Sequence, residues 1–151
     1  MKKGWFVEFI SAVFILLFVY ASLTKLQDFE KFRVQLGKSP IITSFAGLVA
    51  WSIPSIEILV ALTLAIKRLQ LIGLYASFSL MVMFSAYIVA ILKFSDYIPC
   101  SCGGILQNMT WMQHLLFNLL FVILGAFAIL IYPNKNQEFI SKKGEAENLI
   151  E

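Results

Sequence analysis

Four long apolar runs dominate the sequence and leave few folds open to it. They extend from Trp5 to Leu23, Phe45 to Ile66, Leu71 to Leu92 and Leu115 to Tyr132. Each run is close to the roughly 20 residues that cross about 30 Å of hydrocarbon as an α-helix. Apolar residues surround each predicted helix instead of forming one stripe, which is typical of helices that face lipid. The sequence therefore predicts an all-α integral membrane four-helix bundle.

The composition argues against a soluble protein that buries these helices in its core. Hydrophobic residues make up 60% of the chain and charged residues only 14%, whereas soluble domains carry about 25% charged residues. The first run follows two lysines, as the apolar region of a secretory signal peptide does. It is longer than the usual apolar region of about 7–15 residues and it contains Glu8. We therefore expect it to be retained as the first membrane helix.

Lysine and arginine in the connections predict the orientation of the bundle. One side carries Lys2, Lys3, Lys67, Arg68, Lys135, Lys142 and Lys143, and the other carries Lys25, Lys31, Arg33, Lys38 and Lys93. Short cytoplasmic loops are enriched in these residue types, so we expect the first set in the cytoplasm and the second in the periplasm of a bacterial inner (cytoplasmic) membrane. Residues 1–133 then form one transmembrane domain, and residues 134–151 form a polar cytoplasmic tail. The net charge of +3 follows from this topology, and no nucleic acid partner is expected.

The periplasmic connection between the first two membrane helices has an amphipathic pattern. Apolar residues recur at helical spacing at Leu26, Phe29, Phe32 and Leu36, with Asp28, Lys31 and Gln35 on the other face. Gly37 and Pro40 follow as termination signals. The pattern predicts a short amphipathic helix on the outer membrane surface. Such a helix either caps the bundle or forms a lid or docking face above the segment that contains the cysteines.

The segment DYIPCSCGGILQNMTWMQH contains both cysteines and the only histidine of the chain. Residues i and i+2 point to opposite faces of a strand and about 200° apart on a helix, so Cys100 and Cys102 can pair only in a turn. Pro99 and the glycines after Cys102 favour such a turn. A disulfide that closes so small a ring adds little stability and is strained, which is typical of labile or catalytic disulfides.

Three interpretations of the cysteines remain open. A redox-active pair in an oxidising compartment is one of them. A metal site is the second, in which the thiolates are joined by Met109, Met112 or His114 and a soft ion such as Cu(I) is bound. Two small cysteines that pack without reacting are the third.

Four polar residues near the membrane helices are further candidates for the site. His114 lies at the predicted outer start of the fourth membrane helix, where an imidazole would suit proton transfer to and from a thiol. Asn118 lies one turn further along the same face. Glu57 is expected near the midplane, where an acid costs about 2.5–3.5 kcal/mol on insertion scales, so it needs a partner such as Lys25, Tyr20 or Asn118. Glu57, Asn118 and Lys25 are therefore candidates either for structural hydrogen bonds or for contact with a quinone head group.

Several segments in this order resemble the MauE/DoxX-like membrane proteins, and the MauE side in particular, over about residues 8–131. They are YASLTKLQDFEKF, AWSIPSIEILVAL, CSCGG and TWMQHLLFN. Family members often have Cys-Gly-Cys, and Ser101 departs from that pattern. The resemblance implies an integral membrane protein linked to periplasmic thiol-disulfide chemistry, of the kind that matures a disulfide-rich methylamine dehydrogenase subunit.

The bundle with one external cysteine pair also looks like the quinone-linked DsbB and vitamin K epoxide reductase-like enzymes. Those enzymes relay electrons through two cysteine pairs, whereas this chain has only Cys100 and Cys102. Our main hypothesis is a thiol-disulfide redox protein in which Cys100, Cys102 and His114 are catalytic and a periplasmic thioredoxin-like protein is the partner. Electrons pass to or from a quinone or another protein, and the sequence does not determine the direction. The alternative is a non-catalytic subunit or scaffold of a larger membrane complex, so the sequence does not decide whether the chain is an enzyme.

Overall fold

The protein is all-α over the residues that its computed structural model describes, which are 2–38, 43–94 and 110–132. The α-helices are α1 (Lys2–Gln27), α2 (Phe29–Gly37), α3 (Ala46–Ala65), α4 (Gln70–Phe94) and α5 (Trp111–Leu130), and a 3₁₀ turn (Thr43–Phe45) precedes α3. Four of them, all except α2, are long and apolar enough to cross a membrane. The predicted four spans and the predicted short helix after the first span are therefore confirmed.

The long helices form a bundle in which α1 packs mainly against α3 and α4 packs mainly against α5. Its core is built from large side chains of all four helices, among them Phe14, Leu64, Leu74 and Phe121. The rings of Phe14 and Phe121 meet edge to face with centroids 5.3 Å apart, a favoured aromatic geometry. This contact joins α1 to α5 across the centre of the bundle.

Many large apolar side chains remain exposed around the bundle, as expected for helices that face lipid. Leu16, Leu48, Trp51, Ile123 and Leu130 are among them. Soluble monomers rarely expose continuous apolar surfaces of this extent. Together with the lengths of the four helices, this surface identifies the chain as a multi-pass membrane protein.

The short helix α2 lies against the beginning of α3 and covers one end of the bundle. Its buried residues are Phe32 and Leu36, which pack with Ala46 and Ala50 of α3. The charged residues of α2 remain exposed and form the pairs Lys31 with Asp28 and Arg33 with Glu30. The helix ends at Gly37 as predicted, while Pro40 lies outside the described residues. We call this end of the bundle, where α1 and α4 end and α3 and α5 begin, the α2 end.

At the other end of the bundle, α1 makes polar contacts with the connection from α3 to α4 and with the first residue of α4. Lys67 Nζ lies 3.1 Å from Glu8 Oε1, and Gln70 Nε2 donates to Ser11 Oγ at 3.1 Å. Both Glu8 and Lys67 are exposed, so this is a surface ion pair. These contacts fix the first helix against the short connection.

Candidate functional site

A buried ion pair joins α1 to α3 near the α2 end. Lys25 Nζ donates to Glu57 Oε1, and the exposed fraction of Glu57 is only 1%. Lys25 belongs to the last turn of α1, and Glu57 lies about midway along α3, one turn after the buried Pro54. Of the three partners proposed for Glu57, the structure therefore selects Lys25. Neutralisation by a partner of opposite charge is what allows both groups to remain inside an apolar bundle.

Two aromatic rings flank the ammonium group of Lys25. Its Nζ lies 5.5 Å from the ring centroid of Phe84 on α4 and 6.0 Å from that of Phe32 on α2. Cations are attracted to the faces of aromatic rings within about 6 Å. Lys25 is thus held by a carboxylate and two rings that come from three different helices.

The beginning of α5 is fixed by a capping box. Thr110 Oγ1 accepts from the backbone N–H of Gln113, and the Gln113 side chain accepts from the backbone N–H of Thr110. Such a box satisfies amides that the first turn leaves unpaired. It determines where α5 starts and therefore how Trp111 and His114, within the first four residues, are oriented.

His114 and Asn118 lie one helical turn apart and face the ion pair from α5. Asn118 is buried, and His114 is half-buried with its ring stacked on Trp111 at a centroid distance of 6.4 Å. Both side chains line the same cavity as Lys25 and Glu57. The four polar residues singled out in the sequence outside the cysteine pair therefore come together at one place.

That place is a partly open cavity of about 110 Å³ at the α2 end, to which all five helices contribute. Most of its wall is apolar, and much of it is aromatic. The aromatic residues that line it include Phe18, Phe32, Phe84, Trp111 and Phe117. The polar groups are thus concentrated within an otherwise apolar space inside the bundle.

Two buried polar atoms at this cavity have no hydrogen-bond partner among the described residues. They are Glu57 Oε2, the oxygen that does not contact Lys25, and His114 Nδ1. A buried polar atom without a partner costs about 1–3 kcal/mol, and more when it is charged. The cavity therefore offers a hydrogen-bond acceptor on α3 and a ring nitrogen on α5 to whatever occupies it.

Cys100 and Cys102 lie outside the described residues, as do Ser101 and Met109. The redox, metal and packing interpretations of the thiols therefore remain predictions. In the described ranges, no three His, Cys, Asp or Glu residues come together in a way that could hold a metal ion. Residues 134–151, the expected polar tail, are also outside the described residues.

Several cavity residues were not predicted from the sequence, notably Phe84 and Tyr87 on α4. Both belong to an apolar run in which residue type does not distinguish residues that face the bundle from those that face lipid. One signal was available, because Met81, Phe84 and Ile88 recur at helical spacing. Which side of α4 faces the bundle depends on how the helix is rotated about its axis, and tertiary packing determines that rotation.

Comparison with known proteins gives one match. The family described as "Methylamine utilisation protein MauE" matches residues 3–131, a range that contains the four long helices except for Lys2 and every residue of the cavity. No curated protein and no solved structure matches the chain.

Proposed function

This chain belongs to the MauE family, whose members are associated with methylamine utilisation, and we propose that it is a membrane thiol-disulfide redox protein. In this proposal Cys100 and Cys102 exchange disulfides with a thioredoxin-like protein in the periplasm. Electrons pass between the cysteine pair and either a membrane quinone or a second thiol protein. The chain is a multi-pass membrane protein of the MauE family. The thiol chemistry is what we propose for it.

The observation that carries the proposal is the polar cluster at the α2 end of the bundle. The segment with the cysteines, residues 95–109, connects the end of α4 to the beginning of α5, and these two helix ends belong to the α2 end. His114 is the fourth residue of α5, only 12 positions after Cys102. Both thiols thus belong to the segment that leads directly into the helix with His114, which supports the proposal.

The chemistry is a pair of thiol-disulfide exchanges. A partner thiolate attacks one sulfur of the Cys100–Cys102 disulfide, the S–S bond breaks, and a mixed disulfide forms. The second partner thiolate then displaces the cysteine, so the partner gains a disulfide and Cys100 and Cys102 become a dithiol. Two electrons and two protons move to this chain, and the reverse sequence reduces the partner. His114 is proposed to accept and return the thiol proton.

Single-cysteine variants test this function. We expect that either Cys100→Ser or Cys102→Ser leaves a thiol that traps a partner as a mixed disulfide in native membranes. After acid quenching and alkylation, the adduct is detected on a non-reducing gel and disappears on reduction. The double variant Cys100→Ser/Cys102→Ser is the matched control, because it has no thiol. If neither single variant gives more adduct than the double variant, the thiol-exchange function is wrong and a non-catalytic subunit is favoured.

A further inference from the structure

Two cavity atoms that have no hydrogen-bond partner among the described residues restrict what can occupy the cavity. Glu57 Oε2 and His114 Nδ1 are buried and both belong to residues that line the cavity. A lipid acyl chain would leave both atoms without a hydrogen bond, at a cost for each. An occupant that carries oxygen atoms able to donate to Glu57 and to bond with His114 would remove that cost.

The walls of the cavity favour a flat ring as the part of the ligand that carries these oxygens. Phe32 and Phe84 flank Lys25 from α2 and α4, and Trp111 lines the cavity from α5. Aromatic side chains stack on planar ligands and contribute beyond their buried area. The volume of about 110 Å³ is somewhat below the roughly 150 Å³ of an engineered cavity that accepts benzene, and the partly open wall leaves room for substituents. One six-membered ring fits with small side-chain movements.

We propose that this cavity binds the ring of a lipid-soluble quinone or quinol. A quinol hydroxyl donates to Glu57 Oε2, and a ring oxygen bonds with His114 Nδ1, while Lys25 holds the Glu57 side chain in place. The choice of ligand rests on the redox function proposed above, for which quinone is a two-electron acceptor that dissolves in the bilayer. When the dithiol is oxidised, two S–H bonds are lost and one S–S bond forms, and the two electrons and two protons convert quinone to quinol.

The three tryptophans supply a built-in reporter for binding. Trp111 lines the cavity, whereas Trp5 and Trp51 are 64% and 61% exposed on the outside of the bundle. The variant Trp5→Phe/Trp51→Phe keeps only the tryptophan at the cavity. The variant Trp51→Phe/Trp111→Phe keeps only Trp5, near the opposite end of the bundle, and is its matched control.

The experiment titrates decylubiquinone into each variant in lipid nanodiscs and follows tryptophan emission, which quinones quench. We expect saturable quenching of Trp111 and a linear, unsaturable decrease for Trp5, because the latter meets only quinone dissolved in lipid. If both variants show the same linear decrease, the cavity does not bind the quinone and the proposal is wrong. Decylbenzene, which has the ring and chain without oxygens, should not displace the quinone from Trp111.

Two further substitutions, made in the Trp5→Phe/Trp51→Phe protein that keeps only Trp111, test the cavity itself. Ala21→Phe places a ring in the cavity while every polar group remains, and it should weaken the binding of decylubiquinone at least tenfold. Glu57→Gln replaces the carboxylate that accepts from the quinol hydroxyl, so it should raise at least tenfold the concentration of decylubiquinol that displaces decylubiquinone. Glu8→Gln, at the opposite end of the bundle, should leave both unchanged. The thermal unfolding midpoint identifies any variant that fails to fold. Folded Ala21→Phe protein that binds decylubiquinone, or folded Glu57→Gln protein that binds decylubiquinol, as tightly as the Glu8→Gln control overturns the assignment.

The experiments can contradict the quinone site and the thiol function independently of each other. Saturable quenching should persist when Cys100→Ser/Cys102→Ser is added to the Trp111 variant, because neither cysteine is assigned to the cavity. Saturable quenching without any trapped mixed disulfide would support the quinone site and contradict the thiol function. A trapped mixed disulfide without saturable quenching would support the thiol function and contradict the quinone site.

Discussion

Lys25 and Glu57 show how one buried contact can determine the position of two membrane helices. Each charge alone would be costly in the bilayer, but the pair is neutral and Lys25 also contacts two aromatic rings. Such pairs add little stability compared with apolar residues of similar size, yet the loss of one member leaves the other uncompensated. The pair therefore specifies how α1 and α3 align more than it strengthens their association.

Removal of Lys25 alone should be much more damaging than removal of the pair. We expect Lys25→Met to lower the free energy of unfolding by about 3–5 kcal/mol, because Glu57 remains buried without its cation. Lys25→Met combined with Glu57→Leu should recover most of that loss. The measurement is unfolding of the purified protein in mixed micelles with increasing SDS. A double variant no more stable than Lys25→Met would show that the pair itself supplies the stability.

The sequence identified the polar residues of the site but not which of them touch. The hydropathy pattern alone indicated that Glu57 needs a partner. Lys25, Tyr20 and Asn118 were all plausible partners, because each could reach the depth of Glu57 in the membrane. The choice of Lys25 depends on the rotation of α1 relative to α3, which is set by core contacts such as those of Phe14 and Leu64. The cysteine pair was recognised from its spacing, and its geometry remains a prediction.

Helix boundaries were predicted most accurately where a local signal marks them. The end of α2 at Gly37 followed from the sequence, whereas α5 begins at Trp111, four residues before the apolar run at Leu115. The capping box of Thr110 and Gln113 explains this earlier start. A search for uninterrupted apolar length misses it because the first turn contains polar residues.

The packing of α4 against α3 depends on Gly73. A Cβ atom at this position would lie 2.9 Å from the backbone nitrogen of Leu64, and a backbone atom cannot move aside as a flexible side chain can. We expect Gly73→Ala to lower the free energy of unfolding by about 1–3 kcal/mol, the usual cost of an overpacked core. Gly47→Ala is the matched control, since nothing lies within 4 Å of its added Cβ, and it should change the free energy by no more than about 0.5 kcal/mol. Equal SDS unfolding curves for the two variants would contradict this close contact.

Ion pairs offset positive charges at both ends of the bundle. At the α2 end, Glu57 neutralises Lys25 inside the bundle, and Lys31 and Arg33 pair with Asp28 and Glu30 on the surface. At the opposite end, Lys67 pairs with Glu8, and Lys67 and Arg68 lie in a very short connection. Acidic residues contribute little to the positive-inside bias, which is counted over short connections, so the bias favours a cytoplasmic location for the connection from α3 to α4.

Cysteine labelling from one side of the membrane tests this orientation without changing any charge. In the Cys100→Ser/Cys102→Ser background, Val34→Cys on α2 and Ile66→Cys in the connection after α3 form a matched pair, because the native side chains are 51% and 49% exposed. In intact spheroplasts we expect a membrane-impermeant maleimide to label Val34→Cys, and to label Ile66→Cys only after lysis. The opposite pattern would put the α2 end, and with it the connection from α4 to α5, in the cytoplasm. In that reducing compartment a disulfide of Cys100 and Cys102 would not persist, and exchange with a periplasmic partner could not occur.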